Sequence, residues 1–343
     1  MNYEIIGKLV EEESIKRKYC LNKKNQILKA CRDKEIADII LGKNKKFIAI
    51  VGPCSLDSFE GAYKYSIELA KIQEKIKDKI LVIMRGYSVK PRSLTTEFKG
   101  ILHSPKVGKE EDILNGIELM RKIHIKIFEE SFLPVADELV YPDLYKYIDD
   151  TISYLTIGAR STENQQHKLI AGAIEQPIGF KNPLSGNINN AIDSIISSRN
   201  VVHCIYNNHE IKTKGNPLSH LILRGYIDEN NYHFRNSDKE SLIKTIELIS
   251  KRGIKNTPII IDASHSNSGK NYKNQKEVVI DLLNSINNSK LIKNHIKGVM
   301  LESYMYSGNQ KLSCNYLVGK SLTDSCIGIK ETEQILLKIA EQL

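Results

Sequence analysis

Three cationic side chains follow one short apolar run, and they are the first residues whose spacing suggests chemistry. Residues 80–84 are all apolar, Arg85 follows them directly, and Lys90, Pro91 and Arg92 come a few residues later. Most lysine and arginine clusters are solvated surface loops. An arginine at the end of a buried strand, however, normally needs an anionic partner, and no acidic run lies nearby. The pattern therefore favours a phosphate or carboxylate site.

Three further cations extend this set. Arg160 follows Tyr-Leu-Thr-Ile-Gly-Ala, Lys181 follows Ile-Gly-Phe, and Arg224 follows Leu-Ile-Leu. Any one of them could form a structural ion pair. Together they suit a substrate that carries several negative charges, such as a phosphate and a carboxylate.

A second group of residues could hold a metal ion. Cys54, His265, Glu302 and Asp324 supply a thiolate, an imidazole and two carboxylates. These groups can bind a divalent transition metal and leave one position open. Their wide separation gives no local signature such as Cys-x-x-Cys, and Cys54 could equally be a small buried apolar residue. His265 could be a hydrogen-bonded core histidine, so the residue types alone leave the metal site open.

The elements that must position these residues alternate between strand and helix. Buried strands are predicted over residues 47–51, 80–84, 134–139, 154–159, 177–180, 258–261 and 299–301, with 201–206 and 221–223 both in or near the sixth position. Helices are predicted over residues 58–77, 110–129, 188–197 and 329–342. Such alternation indicates parallel strands joined by right-handed crossovers.

Eight strand and helix units favour an α/β fold of the (β/α)8 TIM barrel type over an open sheet. No G-x-G-x-x-G or Walker pattern supports the usual nucleotide-binding alternatives. Residues 1–45 are charged, with a helical pattern over 23–42, and are predicted to be an N-terminal helical extension. Residues 46–343 are assigned to the barrel.

Active sites of these barrels lie at the carboxyl ends of the strands. Every predicted strand end carries a charged or metal-capable side chain, in the order Cys54, Arg85, Glu138, Arg160, Lys181, Arg224, His265 and Glu302. A purely structural distribution of polar residues would not be expected to produce this series. One site at that end of the barrel is predicted to combine both groups of residues.

Charge, cysteine spacing and the distribution of apolar residues argue against several classes of protein. The net charge of +9 could suggest nucleic-acid binding, but the lysines are scattered and form no basic stripe. The six cysteines include no Cys-x-x-Cys pair, which is typical of reduced thiols in a cytoplasmic protein. The N-terminus lacks the apolar core of a signal peptide, and no apolar run approaches the length of a membrane span. We therefore expect a cytoplasmic protein that binds neither nucleic acid nor membrane.

Several motifs in their order along the chain resemble one enzyme family. They are Gly-Pro-Cys-Ser at 52–55, Lys-Pro-Arg at 90–92, Ile-Gly-Ala-Arg-Ser-Thr-Glu at 157–163, Gly-Phe-Lys-Asn at 179–182, Asp-Ala-Ser-His at 262–265 and Gly-Lys-Ser-Leu-Thr-Asp-Ser-Cys at 319–326. From about residue 48 to the C-terminus the chain is similar to the DAHP synthases (3-deoxy-7-phosphoheptulonate synthases) of the short bacterial and fungal type, class I.

The resemblance implies a transferase of the shikimate pathway, which leads to the aromatic amino acids. Phosphoenolpyruvate and D-erythrose 4-phosphate would condense to 3-deoxy-D-arabino-heptulosonate 7-phosphate with release of phosphate. It implies a divalent metal ion (Mn²⁺, Fe²⁺, Co²⁺ or Zn²⁺) bound by Cys54, His265, Glu302 and Asp324. It also implies a homodimer or homotetramer.

The same resemblance assigns the remaining roles. Arg160 and Arg224 would hold the phosphoenolpyruvate phosphate, and Arg85 and Lys181 would lie near its carboxylate. Lys90 would reach the erythrose 4-phosphate aldehyde. The catalytic residues would be Lys90, His265 and Glu138, of which Glu138 positions the attacking water. Arg92 would bind the erythrose 4-phosphate phosphate, and the other substrate-binding positions would be Pro91, Ser93 and Ala159.

The chain departs from the family pattern in three segments. The loop after Lys-Pro-Arg is longer, so that either Ser93 or Thr95 could supply the hydroxyl that contacts the erythrose 4-phosphate phosphate. The segments 138–142 and 203–224 are shorter than in the family, and we expect 203–224 to be too short for the full hairpin of feedback-inhibited members. We therefore expect weak or no inhibition by phenylalanine, tyrosine or tryptophan. The alternative is a pocket rebuilt with different walls.

Two rival functions remain at this point. A KDO 8-phosphate synthase-like enzyme would share the barrel and phosphoenolpyruvate, but Lys-Ala-Asn-Arg would be expected in place of Lys90-Pro91-Arg92. A non-catalytic anion-binding barrel would be favoured if Lys90 or a metal ligand were missing, and none is missing.

Overall fold

The computed structural model describes residues 1–91, 97–254, 257–313 and 315–343. Within them, eight parallel strands form the central sheet: β1 (Phe47–Gly52), β2 (Ile80–Arg85), β3 (Val135–Glu138), β4 (Tyr154–Ile157), β5 (Ile178–Lys181), β6 (Ser219–Leu223), β7 (Ile259–Asp262) and β8 (Ile296–Tyr304). The sheet closes because β1 pairs with β8, with Ile48 opposite Gly298 and Gly52 opposite Glu302. The predicted (β/α)8 barrel is therefore confirmed.

Helices surround the sheet: α1 (Glu12–Lys18), α2 (Lys23–Ile40), α3 (Phe59–Ile76), α4 (Ile113–Ser131), α5 (Tyr145–Ile148), α6 (Gln165–Ala171), α7 (Ile188–Arg199), α8 (Lys239–Lys251), α9 (Gln275–Asn287), α10 (Lys290–His295) and α11 (Ile329–Gln342). Short 3-10 turns cover Pro142–Leu144 and Tyr272–Asn274. Side-chain caps start several of the long helices, since Ser58, Asp112 and Asp238 each accept a hydrogen bond from the backbone three residues on.

Helix α2 closes the amino-terminal end of the barrel. Ile36, Ile39 and Ile40 are buried against the interior layer that includes Ile48 and Leu81. An outer apolar layer separates the sheet from the surrounding helices. The amino-terminal end is thus filled with aliphatic side chains, which leaves the opposite end for polar residues. No helix of the described residues is long and apolar enough to cross a bilayer.

The structure identifies the sixth strand of the barrel, for which the sequence offered two candidate runs. Of the two candidate runs, Ser219–Leu223 lies between β5 and β7 and is buried throughout. His203–Tyr206 instead pairs antiparallel with His209–Lys212 outside the barrel, and Ile205 is 86% exposed. The turn between them contains Asn207 and Asn208, both at positive φ, which is typical of a two-residue hairpin. The segment that we expected to be too short for the full hairpin of feedback-inhibited members forms a short hairpin, with four residues in each strand.

Further short strands lie at the carboxyl end of the barrel. Tyr226–Ile227 pairs with His233–Phe234, and Tyr306–Asn309 pairs with Lys320–Ser321. Ile327–Gly328 pairs with the end of β8. The last two pairings hold the long loop after β8, which carries Asp324, over the barrel mouth.

Candidate active site

The ends of neighbouring strands bring the metal-capable residues together. Cys54 follows β1 directly, Glu302 lies on β8, and both are buried. The loop after β8 returns Asp324 to the same place. Ligand atoms of Cys54, Glu302 and Asp324 all lie within 4.8 Å of one another. Three of the four predicted metal ligands therefore form one cluster.

His265, the fourth predicted ligand, contacts the cluster at its edge. Its Nε2 is 3.7 Å from Glu302 Oε1, and its Nδ1 is 2.9 Å from Asp262 Oδ2. Its backbone has φ of 52°, in the left-handed region, which for a residue other than glycine often marks a functional site. Hydrogen bonds from Lys270 N and Ser268 Oγ to the His265 carbonyl hold this conformation. Burial lowers the pKa of His265, although the charge of Asp262 opposes this effect.

Lys90 reaches into the same cluster. Its Nζ donates a hydrogen bond to Cys54 Sγ at 2.8 Å and lies 3.4 Å from Asp324 Oδ2. Burial, reinforced by the charge of Glu302, raises the pKa of the Cys54 thiol to about 11. Burial alone would lower the pKa of Lys90, but Cys54 and Asp324 hold it above its ordinary value. The Lys90 ammonium thus lies between the Cys54 thiol and the Asp324 carboxylate.

Arg85 is fully buried beside this cluster. Its Nε donates to the Pro53 carbonyl at 2.9 Å, and its Nη2 lies 3.0 Å from Glu302 Oε1. The guanidinium carbon is 3.7 Å from the centre of the Tyr87 ring, a cation–π contact. The expectation that an arginine here needs an anionic partner is met in part by Glu302.

Lys181 and Arg224 continue the buried cationic surface along β5 and β6. Lys181 Nζ lies 3.1 Å from Asp262 Oδ2. Arg224 is 4% exposed, and its Nη1 has no hydrogen-bond partner among the described residues. Burial lowers the pKa of Arg224. A buried guanidinium nitrogen without a partner is costly, so an anion is the natural ligand at this point.

Arg160 lines the outer part of the site. It is exposed, and with Lys90, Pro91 and Lys99 it borders a cavity of about 290 Å³ that also includes Tyr141. No ion pair of Arg160 occurs within the described part of the chain. Arg160 thus places an exposed cation at the same cavity as the buried Lys90.

The two remaining predicted positions inside the described residues also lie at this end. Glu138 ends β3, and its carboxylate lies so close to Gly158 that a Cβ there would be 2.4 Å from Oε1. Ala159, half-buried, separates Gly158 from Arg160. The predicted substrate residues Arg92 and Ser93, with the alternative Thr95, fall outside the described residues.

Asp262 is a residue of the site to which the sequence analysis assigned no role. Its carboxylate joins Lys181 to His265. Burial favours its neutral form, but the charges of His265 and Lys181 hold its pKa well below the usual range. The motif Asp-Ala-Ser-His could have indicated this role, because a carboxylate close to a candidate histidine ligand often orients the imidazole.

A closed (β/α)8 barrel with clustered cations and metal-capable ligands at its carboxyl end defines a barrel enzyme that acts on anionic substrates. The DAHP synthetase I family model matches residues 18–337. The chain belongs to the DAHP synthetase I family, and the predictions of this family and of an enzyme are confirmed.

Individual relatives are similar to this chain over most of its length. The chain is 35% identical over 328 residues to the phenylalanine-inhibited phospho-2-dehydro-3-deoxyheptonate aldolase of Saccharomyces cerevisiae, and the match covers 92% of this chain and 85% of that protein. It is 34% identical to the Phe-sensitive aldolase of Escherichia coli K12, over 90% of this chain and 86% of that protein. The solved structure of the aldolase from Francisella tularensis superposes with a TM-score of 0.92 at 32% identity, over 99% of this chain and 98% of that one.

Proposed function

We propose that this chain condenses phosphoenolpyruvate with D-erythrose 4-phosphate, as the first step of the shikimate pathway. Carbon 3 of phosphoenolpyruvate attacks the aldehyde carbon, water adds to carbon 2, and phosphate leaves. The observation that carries the proposal is the buried Nη1 of Arg224, which lacks a hydrogen-bond partner in the described ranges and lies on the same cationic surface as Lys181 and Arg85. A small substrate with two anionic groups fits such a surface, and the family membership supports this substrate.

Phosphoenolpyruvate is assigned to the buried cations. Arg224 and Arg160 would hold its phosphate, because Arg224 offers a buried donor and Arg160 lies at the mouth. Arg85 and Lys181 would face its carboxylate, and Ala159 would be a further substrate-binding position. Fixed cations orient the substrate before the reaction and stabilise the charge on the departing phosphate.

Erythrose 4-phosphate is assigned to the loop that follows β2. Lys90 would polarise the aldehyde oxygen with its ammonium group. Arg92, next to Pro91, would bind the phosphate, with Ser93 or Thr95 as an additional donor. Glu138 would position the water that attacks phosphoenolpyruvate.

The donor set fits the divalent metal that the family implies. A thiol and two carboxylates within 4.8 Å match the chemistry of a transition-metal site, and His265 lies at its edge. Cys54, Glu302, Asp324 and His265 would hold the ion, which when bound would act as a Lewis acid towards the aldehyde. Lys90 would have to leave Cys54 Sγ as the ion enters, which would free its ammonium for substrate.

We further propose weak or no inhibition by aromatic amino acids, although relatives are named as phenylalanine-inhibited or Phe-sensitive. The support is that two segments are shorter than the family pattern: the one after β3, and residues 203–224, which form a hairpin with four residues in each strand. A homodimer or homotetramer in a reducing cytoplasm remains part of the proposal.

Phosphate release tests the function directly. Purified protein with a divalent metal should release phosphate only when both substrates are present. Arabinose 5-phosphate in place of erythrose 4-phosphate should give little release, and preference for it would favour the KDO 8-phosphate synthase-like alternative. Tight binding of phosphoenolpyruvate without turnover would favour a non-catalytic barrel.

A further inference from the structure

A buried carboxylate lies directly before Glu138 and has no role in the proposed chemistry. Asp137 is 1% exposed. No lysine or arginine of the described ranges makes an ion pair with it, and the nearest titratable nitrogen is His124 Nε2 on α4, at 3.8 Å. A buried aspartate without a cationic partner is rare in proteins, which calls for a physical reason.

The position of Asp137 in β3 is one that an apolar side chain normally occupies. Side chains of a strand alternate between its two faces. Ala136 belongs to the interior layer of the barrel, whereas Val135 and Leu139 belong to the outer layer under the helices. Asp137 lies between those two apolar residues on the outer face. An aliphatic side chain would be the ordinary choice at this place.

The carboxylate is used entirely by backbone and hydroxyl donors. Ser88 N donates to Oδ1 at 2.9 Å, Ser88 Oγ donates to Oδ2 at 2.5 Å, and Glu138 N donates to Oδ1 at 2.7 Å. Ser88 lies at the start of the loop that carries Lys90, 49 residues before Asp137 in the chain. These hydrogen bonds therefore join that loop to β3.

Ser88 is one of several fixed points in that loop. Its carbonyl accepts from Leu102 N at 3.1 Å, and Lys90 N donates to the Lys99 carbonyl at 2.9 Å. Lys90 lies only two residues after Ser88 and extends its ammonium to Cys54. Displacement of Ser88 would therefore move the base of the Lys90 side chain.

We propose that Asp137 is a positioning residue that fixes Lys90 and Glu138 at once, the first through Ser88 and the second through the backbone N–H of Glu138. The functional part of this inference rests on the proposed condensation reaction. Asp137 touches no substrate. It ties the backbone at both groups to one carboxylate, so that the aldehyde and the attacking water would keep a constant relation to phosphoenolpyruvate.

The test compares Asp137→Ala and Asp137→Asn with a matched control, Gln73→Leu. Gln73 is also buried and joins a helix to β2 by hydrogen bonds to the Ile80 carbonyl and from Val82 N, but at the other end of the strand. Asn keeps an acceptor oxygen for both backbone donors, whereas Ala removes every acceptor. Two readouts are used: steady-state kinetics, and backbone amide exchange in the peptide that spans residues 86–91.

Asp137→Ala should speed exchange in this peptide by about tenfold and lower kcat/KM for erythrose 4-phosphate by about tenfold or more. The KM for phosphoenolpyruvate should stay within about twofold. Asp137→Asn should restore both readouts, and Gln73→Leu should change neither. If Asp137→Ala does not fold, Ser88→Ala, which keeps the backbone donor, should shift both readouts in the same direction by about threefold.

Wild-type exchange and kinetics in Asp137→Ala would overturn the proposal, and so would equal losses in the Ala and Asn variants. Equal changes in Gln73→Leu would reduce Asp137 to a structural role. Failure of the proposed function is distinguishable, because wild-type protein would then release no phosphate while the exchange readout would still decide whether Asp137 fixes the loop.

Discussion

Removal of the Arg85 side chain should expose how the buried charges of the site depend on one another. Arg85 is 0% exposed and Glu302 is 2% exposed, so the carboxylate cannot regain water when its cation is lost. Arg85→Met keeps much of the side-chain volume but leaves His265, at 3.7 Å, as the remaining ion-pair partner of Glu302 within the described residues. Breaking a buried ion pair from one side costs about 3–5 kcal/mol.

The assay is equilibrium unfolding in denaturant, with chelator present so that no metal neutralises Glu302. Arg121→Met is the matched control. Arg121 is equally buried and also donates to the Tyr147 and Tyr19 carbonyls, but its ion-pair partner Asp150 is 42% exposed and can be hydrated. The substitution therefore leaves no partner carboxylate buried without a cation, so the loss should be smaller. Adding Glu302→Gln to Arg85→Met should recover part of the loss, because the uncompensated charge disappears. Wild-type stability in Arg85→Met, or no recovery in the double variant, would show that Glu302 does not depend on Arg85 for its charge compensation.

Three further predictions concern pH, substrates and regulation. Burial raises the pKa of Asp137 to about 7 from 3.8, so the free energy of unfolding of the wild type should fall as pH rises through this window. The free energy of unfolding of Asp137→Asn relative to the wild type should therefore increase between pH 4 and pH 8 by a few kcal/mol, on the order of 4 at most. Denaturant titrations at the two pH values measure this difference, and a constant difference would contradict the prediction. Arg160→Ala should raise the KM for phosphoenolpyruvate more than that for erythrose 4-phosphate, and Arg92→Ala should do the reverse; equal effects in initial-rate kinetics would contradict the assignment. Activity should change little with each aromatic amino acid at about 1 mM, a concentration that would saturate a site of micromolar affinity, and inhibition not competitive with either substrate would reveal a regulatory site.

The barrel and most of the site follow from local sequence patterns. Apolar runs that end in a charged residue mark strand ends, and a closed sheet brings those ends together, so Arg85 and Glu302 can be assigned to one site from the sequence alone. The sixth strand cannot be chosen by hydrophobicity, since residues 201–206, which lie outside the barrel, are more apolar than residues 219–223. The Asn207-Asn208 pair is the deciding signal, because it favours a hairpin turn.

Contacts between distant residues are beyond the sequence. Asp262 lies in a family motif, but its contact with Lys181 depends on the order of strands in the closed barrel. Asp137 cannot be distinguished from a solvent-facing aspartate, because a strand of four residues gives too little alternation to assign a face. Its contact with Ser88 spans 49 residues and exists only once β2 and β3 are paired.

The proposed function is a metal-dependent condensation of two anionic substrates. The most direct measurement is phosphate release with phosphoenolpyruvate and erythrose 4-phosphate after chelation, and again after Mn²⁺ is added back. We expect chelation to abolish turnover and Mn²⁺ to restore it, with weaker metal retention in Cys54→Ser, because the thiolate is the soft ligand. Full activity in protein shown by elemental analysis to contain no metal, or no phosphate release with both substrates and metal present, would contradict the claim.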